Sequence, residues 1–550
     1  MEPRENPPGG EPGVTGRPSP PHGVEVGRLG KLSRDTVYLA GARVITSGLT
    51  FLLAIYVNRA LGPERAGIYN YAFALYTIIQ VIPDFGMGNI TIRDVSRDHR
   101  LLHGYVPAVV GLRLLMGAGG FLILNLINLV SWLAQRSGPL AGEKSLVLLA
   151  LSFCLLVEQP LSNTLAEAFI SLERLAFVAL VYLFMGLLRV FLSLASLATM
   201  GKRVYPLVLA YLAAYLYSVL HFYVSYRRIR VSPRREREES APVPSPEDEA
   251  IPRPGGDGGA RGEVRFMNPA LWRYLLRSAW PLAVVGAGIT IYASIDLPII
   301  SWLRGDREVG LYSAAGLFAK AFVFLTIAVN MALLPAVSRV TGKHPERAGE
   351  LWQRLSFYCL GVVLPLTVIV PIVARPVLFL QGREYVEAWP TTWLTMAAMN
   401  FTFMTAVSFP FFVAMNRQRA LSGVILRGLV IKGALNLALV PILGYRGAAA
   451  TVPVSEAAIF FIASTALARE CGFRPSWKAM FLRPLVACLA SYAAAFAFLV
   501  LLGTGDGFVP ALRWALVSSA GTAAAYAIAS TAAGSWRKGE LRRLNQLLTP

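Results

Sequence analysis

Apolar runs of about 20 residues recur along this chain from Val37 to Ser535, with few charges inside them. A helix rises about 1.5 Å per residue, so each run is long enough to cross the roughly 30 Å hydrocarbon core of a bilayer. Backbone N–H and C=O groups find no water there, so such runs must satisfy them internally as helices. A soluble enzyme, a disordered scaffold and a DNA-binding module are thereby excluded as whole-chain descriptions. Composition agrees: 55% of residues are hydrophobic, 15% are charged, and the mean hydropathy is +0.53. The expected fold class is an all-α integral membrane protein. Fourteen spans are expected, near 37–60, 67–90, 105–133, 146–171, 176–199, 206–226, 275–302, 309–336, 355–380, 389–414, 421–443, 447–468, 481–502 and 511–535.

The polar segments divide these spans. Residues 1–35 hold seven Pro and seven Gly without an apolar core, which reads as a disordered cytoplasmic tail rather than a cleavable signal peptide. A second polar stretch, with PVPSPEDEA and PGGDGG, makes 229–270 a disordered cytoplasmic linker. A six-helix bundle is then expected at 36–228 and another at 271–470. Two additional spans fall within 471–536, and a cytoplasmic tail covers 537–550. With the amino terminus inside, 34 of the 52 Lys and Arg fall on its side of the membrane and 12 on the other, span-end residues being assigned to the nearer face. The positive-inside bias places both termini in the cytoplasm and the chain in the cell membrane. The formal charge of +20 is thus mostly topology, with membrane lipids rather than nucleic acid as the partner. The four cysteines are scattered and read as small buried hydrophobes, and His99 and His103 lack further metal ligands beside them.

An internal repeat appears at an offset of 243 residues. Gly62, Gly67 and Tyr69 fall on Gly305, Gly310 and Tyr312, Arg174 falls on Arg417, and Gly201 falls on Gly444. Two six-helix units with an even number of spans lie the same way up, an architecture that puts a transported substrate between the halves.

Six bases lie within the spans: Arg43, Arg113, Arg189, Lys320, Arg427 and Lys432. Each would cost about 2.5–3.5 kcal/mol facing lipid at the bilayer centre. The acids there are Asp84, Glu158, Glu167, Asp296 and Glu456, fewer than the bases, so a cavity with positive bias is expected. Phosphate is the anion best matched to such a cavity. Arg43, Ser47, Thr50 and Asn58 form a stripe at helical spacing on the first span. Ser313, Gly316 and Lys320 share a face of the eighth, and Asp296 stands in the outer half of the seventh, flanked by Tyr292 and Ser294. The candidate substrate-binding residues are therefore Arg43, Ser47, Thr50, Asn58, Asp296 and Lys320, with Asp84, Arg113, Arg189, Arg427, Lys432 and Glu456 as secondary candidates. Arg113 has a second reading as a snorkelling side chain, and Arg427 with Glu456 as a structural pair. No nucleophile–base constellation and no metal cluster stands out, so neither catalysis nor a cofactor is expected, and a coupling ion is left open.

Several segments, in order, make the chain similar to a known group: RALGPERAGIYNYAFAL, PDFGMGNITIRDVSR, Asp296 followed by GLYSAAGLFAK, then LLPAVSR, QGREYVEAW and NLALVPILGYRGAAATVPVSE. Over roughly 33–535 it resembles the polysaccharide (oligosaccharide-lipid) flippases of the multidrug/oligosaccharidyl-lipid/polysaccharide exporter superfamily. The resemblance implies twelve core spans in two bundles, two added carboxy-terminal spans, and a cavity formed mainly by spans one, two, seven and eight. It further implies alternating access for a lipid-linked oligosaccharide whose headgroup crosses while its tail stays in lipid, with polysaccharide assembly proteins as further partners. A multidrug or cation antiporter of the same fold would favour acids over bases in the cavity. A peptidoglycan lipid-precursor flippase would carry more arginines on the first span. A membrane glycosyltransferase would need a larger loop on the outer face.

Overall fold

A computed structural model describes residues 22–134, 140–228, 266–502 and 507–532; of the 229–270 linker, residues 229–265 lie outside them, and helix begins at Pro269, inside its expected end. All regular structure among the described residues is helical. The first half comprises α1 (His22–Asp84), α2 (Met87–Arg97), α3 (Leu102–Ala134), α4 (Ala141–Val157), α5 (Thr164–Ser171), α6 (Leu175–Met200) and α7 (Tyr205–Arg227). The second comprises α8 (Pro269–Ser294), α9 (Asp296–Arg304), α10 (Asp306–Lys343), α11 (Ala348–Gln381), α12 (Trp389–Ala414), α13 (Gln418–Leu443) and α14 (Tyr445–Cys471). Two more follow, α15 (Trp477–Leu502) and α16 (Phe508–Ala532).

Among the described residues, eleven continuous segments are long and apolar enough to span a membrane. The expected fourteen differ in three places. Val44–Arg97 forms one segment where two spans were expected, and α10 and α16 are helices that fall outside the eleven. Helix α1 also begins at His22, inside the segment read as a disordered tail. The last proline of that segment is Pro21, so nothing beyond it lacks an N–H for helix formation. The seventh span breaks between α8 and α9, where Pro298 has no N–H to offer the Ser294 carbonyl. The fourth is interrupted by a π turn, Glu158–Asn163, that contains Pro160.

The repeat is written into the backbone. Gly62 (φ 74°, ψ 171°) matches Gly305 (φ 94°, ψ 172°), and Gly201 (φ 70°, ψ −153°) matches Gly444 (φ 60°, ψ −143°). Without a Cβ these glycines turn the chain between spans at little cost. At the same offset, Glu173 (φ 58°) and Asn416 (φ 57°) both adopt the left-handed region, followed by Arg174 (φ −94°, ψ 49°) and Arg417 (φ −98°, ψ 41°).

Two large apolar clusters form the core, one built mainly from the first half and joined by Ile300 and Val309 of the second, the other from the second half alone. Val57, Tyr71, Tyr76, Leu151 and Val208 belong to the first of these clusters. In the second, Leu351, Trp352, Val368, Phe411 and Phe460 share one cluster with Cys488, Trp514 and Tyr526. The two last helices therefore extend the second core instead of forming a separate body.

Candidate functional site: the interface between the bundles

The two bundles meet tightly at the end where Gly62 and Gly305 turn the chain, here called the glycine end. A Cβ on Gly67 would overlap the Asp306 carbonyl, and one on Gly310 would overlap the Pro63 carbonyl. These two glycines let the backbones of α1 and α10 touch. Lys144 Nζ crosses from the first bundle to both carboxylate oxygens of Asp306, at 3.0 Å each, and to Ser301 Oγ, also at 3.0 Å. Asn58 Nδ2 donates to Gln381 Oε1 (2.7 Å), Tyr385 OH donates to the Asn58 carbonyl (3.1 Å), and Trp302 Nε1 donates to Tyr71 OH (3.0 Å). Asn58 is 5% exposed and belongs to this seal, not to a cavity.

Further from the glycine end the same two helices part. Phe51 of α1 and Phe318 of α10 make an edge-to-face contact, with ring centroids 6.1 Å apart. Beyond it Ser47, Gly48 and Thr50 are exposed on α1, and Lys320 is exposed on α10. A Cβ on Gly48 or on Gly316 would meet nothing within 4 Å. Val323 and Leu325, one turn further along α10, are 42% and 41% exposed. Ser313 is buried. Thr50 Oγ1 donates to the Thr46 carbonyl (2.8 Å), which leaves its lone pairs free to accept. Among the described residues no acid pairs with Lys320. Arg43 belongs to the same helix, and its side chain lies outside the described residues.

A different seam at the opposite, basic end is closed. The start of α8 lies on α2 and α3: Trp272 Nε1 donates to the Ala108 carbonyl (2.8 Å) and Tyr274 OH donates to Asp94 Oδ2 (3.1 Å). Asp94, fully buried, also accepts from Tyr105 OH (2.6 Å) and from Arg93 Nε (2.8 Å).

The remaining charges sit inside the bundles. Asp296 is 4% exposed, pairs with Lys432 Nζ at 2.9 Å, and accepts from Asn436 Nδ2 (2.8 Å) and Tyr312 OH (2.8 Å). Lys432 also donates to the Tyr292 carbonyl (2.8 Å), with Nζ 4.4 Å from that residue's ring centroid. Asp296 is thus held by a base of the second bundle and by Tyr312 of α10, and it pairs with Lys432, a secondary candidate, rather than with Lys320. The 243-residue offset maps Arg189 onto Lys432, and Arg189 likewise lies over a tyrosine ring, that of Tyr211, at 4.7 Å. Tyr211 OH donates to Glu158 Oε2 (3.0 Å), and Tyr76 OH donates to the same oxygen. Each bundle therefore encloses a base, tyrosines and a carboxylate.

Arg113 does not snorkel. It is fully buried, forms a bidentate pair with Glu167 at 2.9 and 3.0 Å, donates to Thr164 Oγ1 (2.7 Å) and lies 3.8 Å from Asp84. Burying a guanidinium is tolerable only when its donors are met in this way. The expected pair between Arg427 and Glu456 is absent. Glu456 accepts from Tyr292 OH (3.0 Å), while Arg427 is exposed. Five residues separate Arg427 from Lys432, about 140° around a helix, so the two bases of α13 face different ways. Lys144, Asp306, Gln381 and Tyr385 were missed from the sequence because they stand at span ends, where charge and polarity look unexceptional.

A family model described as "Polysaccharide biosynthesis protein" matches residues 32–341. No curated protein matches the chain. Among solved structures, an inward-facing multidrug resistance MATE family transporter of the MOP superfamily aligns over 80% of this chain and 98% of its own, with TM-score 0.61 and 12% identity. The lipid II flippase MurJ in an inward closed conformation aligns over 90% of this chain and 98% of its own, with TM-score 0.57 and 12% identity. A MOP superfamily transporter from Pyrococcus furiosus, whose binding pocket is described as of reverse polarity, aligns over 80% and 96%, with TM-score 0.51 and 14% identity. At these identities the likeness is one of fold.

Proposed function

Because the chain belongs to the polysaccharide biosynthesis protein family and has the fold of MOP superfamily transporters, we propose that it flips a polyprenyl-(di)phosphate-linked oligosaccharide across the cell membrane by alternating access. The reading rests above all on Lys320, an exposed base without an acid partner just beyond the Phe51–Phe318 contact. An ammonium at that depth is costly in lipid and favourable beside a phosphate.

The basic end faces the cytoplasm in this reading, so the described state is open inward and sealed outward. The phosphate headgroup enters between α1 and α10 and rests on Lys320. Ser47 and Thr50 offer hydroxyls to the sugar, and the polyprenyl tail remains in lipid between the parted helices. Outward opening then requires the Lys144–Asp306 and Asn58–Gln381 contacts to break. An inside-negative potential favours outward movement of the anion by about 2.3 kcal/mol per charge per 100 mV, so a coupling ion is not required by the energetics. A cation antiporter is disfavoured because Asp296 is committed to Lys432, which neutralises it. MurJ, titled a lipid II flippase, supports a lipid-linked cargo without specifying the sugar. The test is the identity of lipid-linked sugars that accumulate in cells lacking the chain. Accumulation of a polyprenyl-linked oligosaccharide in the inner leaflet is expected; an unchanged lipid-linked pool would overturn the proposal.

A further inference from the structure

Helix α11 carries three prolines, Pro365, Pro371 and Pro376, in its second half. Each lacks the N–H that would bond the carbonyl four residues before it, so the carbonyls of Gly361, Thr367 and Ile372 lose their helical donor. Inside a bilayer such groups are met by donors from neighbouring helices. Gly361 has one: Tyr526 OH of α16 donates to its carbonyl at 2.5 Å. Ile372 lies eleven residues beyond Gly361, which returns its carbonyl to the same face within about 20° and about 17 Å nearer the glycine end. Trp514 stands twelve residues before Tyr526, about 18 Å along α16 in that direction. It is 4% exposed, and its Nε1 has no hydrogen-bond partner among the described residues. Its ring meets that of Trp389 edge to face, with centroids 6.0 Å apart, and Trp389 Nε1 donates to the Pro371 carbonyl (2.7 Å). The unbonded indole N–H therefore stands beside the proline segment. Between the two points Ser518 and Thr522 are fully buried, and their hydroxyls likewise have no partner among the described residues. Buried donors left unmet are costly, so an arrangement that meets them gains stability.

We propose that α16 is a two-position latch on the proline segment of α11. In the described arrangement Tyr526 holds the Gly361 carbonyl. When α11 bends at its prolines, Tyr526 gives up that carbonyl and the Trp514 N–H takes the one at Ile372. The bend reaches the seal between the bundles, because α11 ends at Gln381, whose Oε1 accepts from Asn58 Nδ2. The two added helices thereby set the balance between the closed and the open glycine end. The latch rests on the alternating-access reading and is indifferent to the cargo.

The experiment uses purified full-length protein carrying Asn58→Cys and reads thiol labelling at position 58 by peptide mass spectrometry. Tyr526→Phe removes only the hydroxyl and should speed labelling about fivefold, the worth of one hydrogen bond. Trp514→Phe removes the indole N–H and should slow labelling about fivefold. Pro376→Ala returns a helical donor to Ile372 and should also slow it, with Trp514 left in place. The opposite directions at Tyr526 and Trp514 are the signature, since loosened packing alone would move both the same way. Unchanged labelling in Tyr526→Phe, changes of one direction in Tyr526→Phe and Trp514→Phe, or faster labelling in Pro376→Ala would each overturn the latch. No lipid is needed for this readout. A wild type whose labelling responds as expected, yet which moves no lipid-linked oligosaccharide, would count against the cargo and support the latch.

Discussion

The two seams between the bundles at the basic end are built from equivalent parts of the repeat, yet one is tied and the other is bare. The start of α8 is bonded to the first bundle through Trp272 and Tyr274. On the other seam, α1 and α10 share the Phe51–Phe318 contact and then part. Residues matched by the repeat show the difference at single positions. Thr77, Gln80 and Ile82 are half-buried, whereas their counterparts Lys320, Val323 and Leu325 are exposed. Among the described residues, a pseudo-symmetric scaffold is therefore tied at one seam and exposed at the other. Sequence divergence placed the base there: position 77 is a threonine and position 320 a lysine.

The comparison presupposes rigid bundles, and the strongest way to break it is from within one. Lys432→Met leaves the Asp296 carboxylate buried and unpaired, with an expected loss of about 3–5 kcal/mol in stability, measurable as a large fall in the unfolding temperature in detergent. Adding Asp296→Asn should recover most of that loss; no recovery would mean that the pair is not what holds this region. At the glycine end, Gly310→Leu forces a side chain against the Pro63 carbonyl, at a cost of about 1–3 kcal/mol to the closed arrangement. Thiol labelling of a cysteine at Asn58 should then become severalfold faster; unchanged labelling would contradict the seal. The smallest effect concerns the tied seam. Tyr274→Phe removes one of three donors from Asp94, worth about 1 kcal/mol, and hydrogen exchange across 269–283 should rise by about fivefold. Equal exchange in the variant would show that the seam is held by packing alone.

Much of this arrangement was legible in the sequence, for reasons that also explain what was not. The repeat could be read because glycines with positive φ tolerate few substitutes, and Gly62, Gly201, Gly305 and Gly444 all adopt it. Its most interior element was hidden, because Arg189 and Lys432 share a charge but not an identity. Helical spacing could put Arg43, Ser47, Thr50 and Asn58 on one face of α1, since it reports direction around an axis. It could not report depth, so Asn58 joined Ser47 and Thr50 although the helices close between them. The partners of Asp296 were hidden for a related reason: Lys432 and Asn436 stand 136 and 140 residues further along, beyond any local pattern. Arg113 was similarly opaque, since its partner Glu167 follows a π turn that alters the facing of the fourth span.

The most direct test sets the two repeat-related positions against each other in the transport reaction. Purified wild type, Lys320→Ala and Thr77→Ala would be reconstituted into vesicles with a lipid-linked oligosaccharide, and headgroup exposure on the opposite leaflet followed over time. Loss of a charge-assisted phosphate contact, about 1.5–3 kcal/mol, predicts a roughly ten- to hundredfold slower rate for Lys320→Ala, with Thr77→Ala within about twofold of wild type. A near-normal rate for Lys320→Ala, or equal losses at the two positions, would contradict a phosphate route through the opening between α1 and α10.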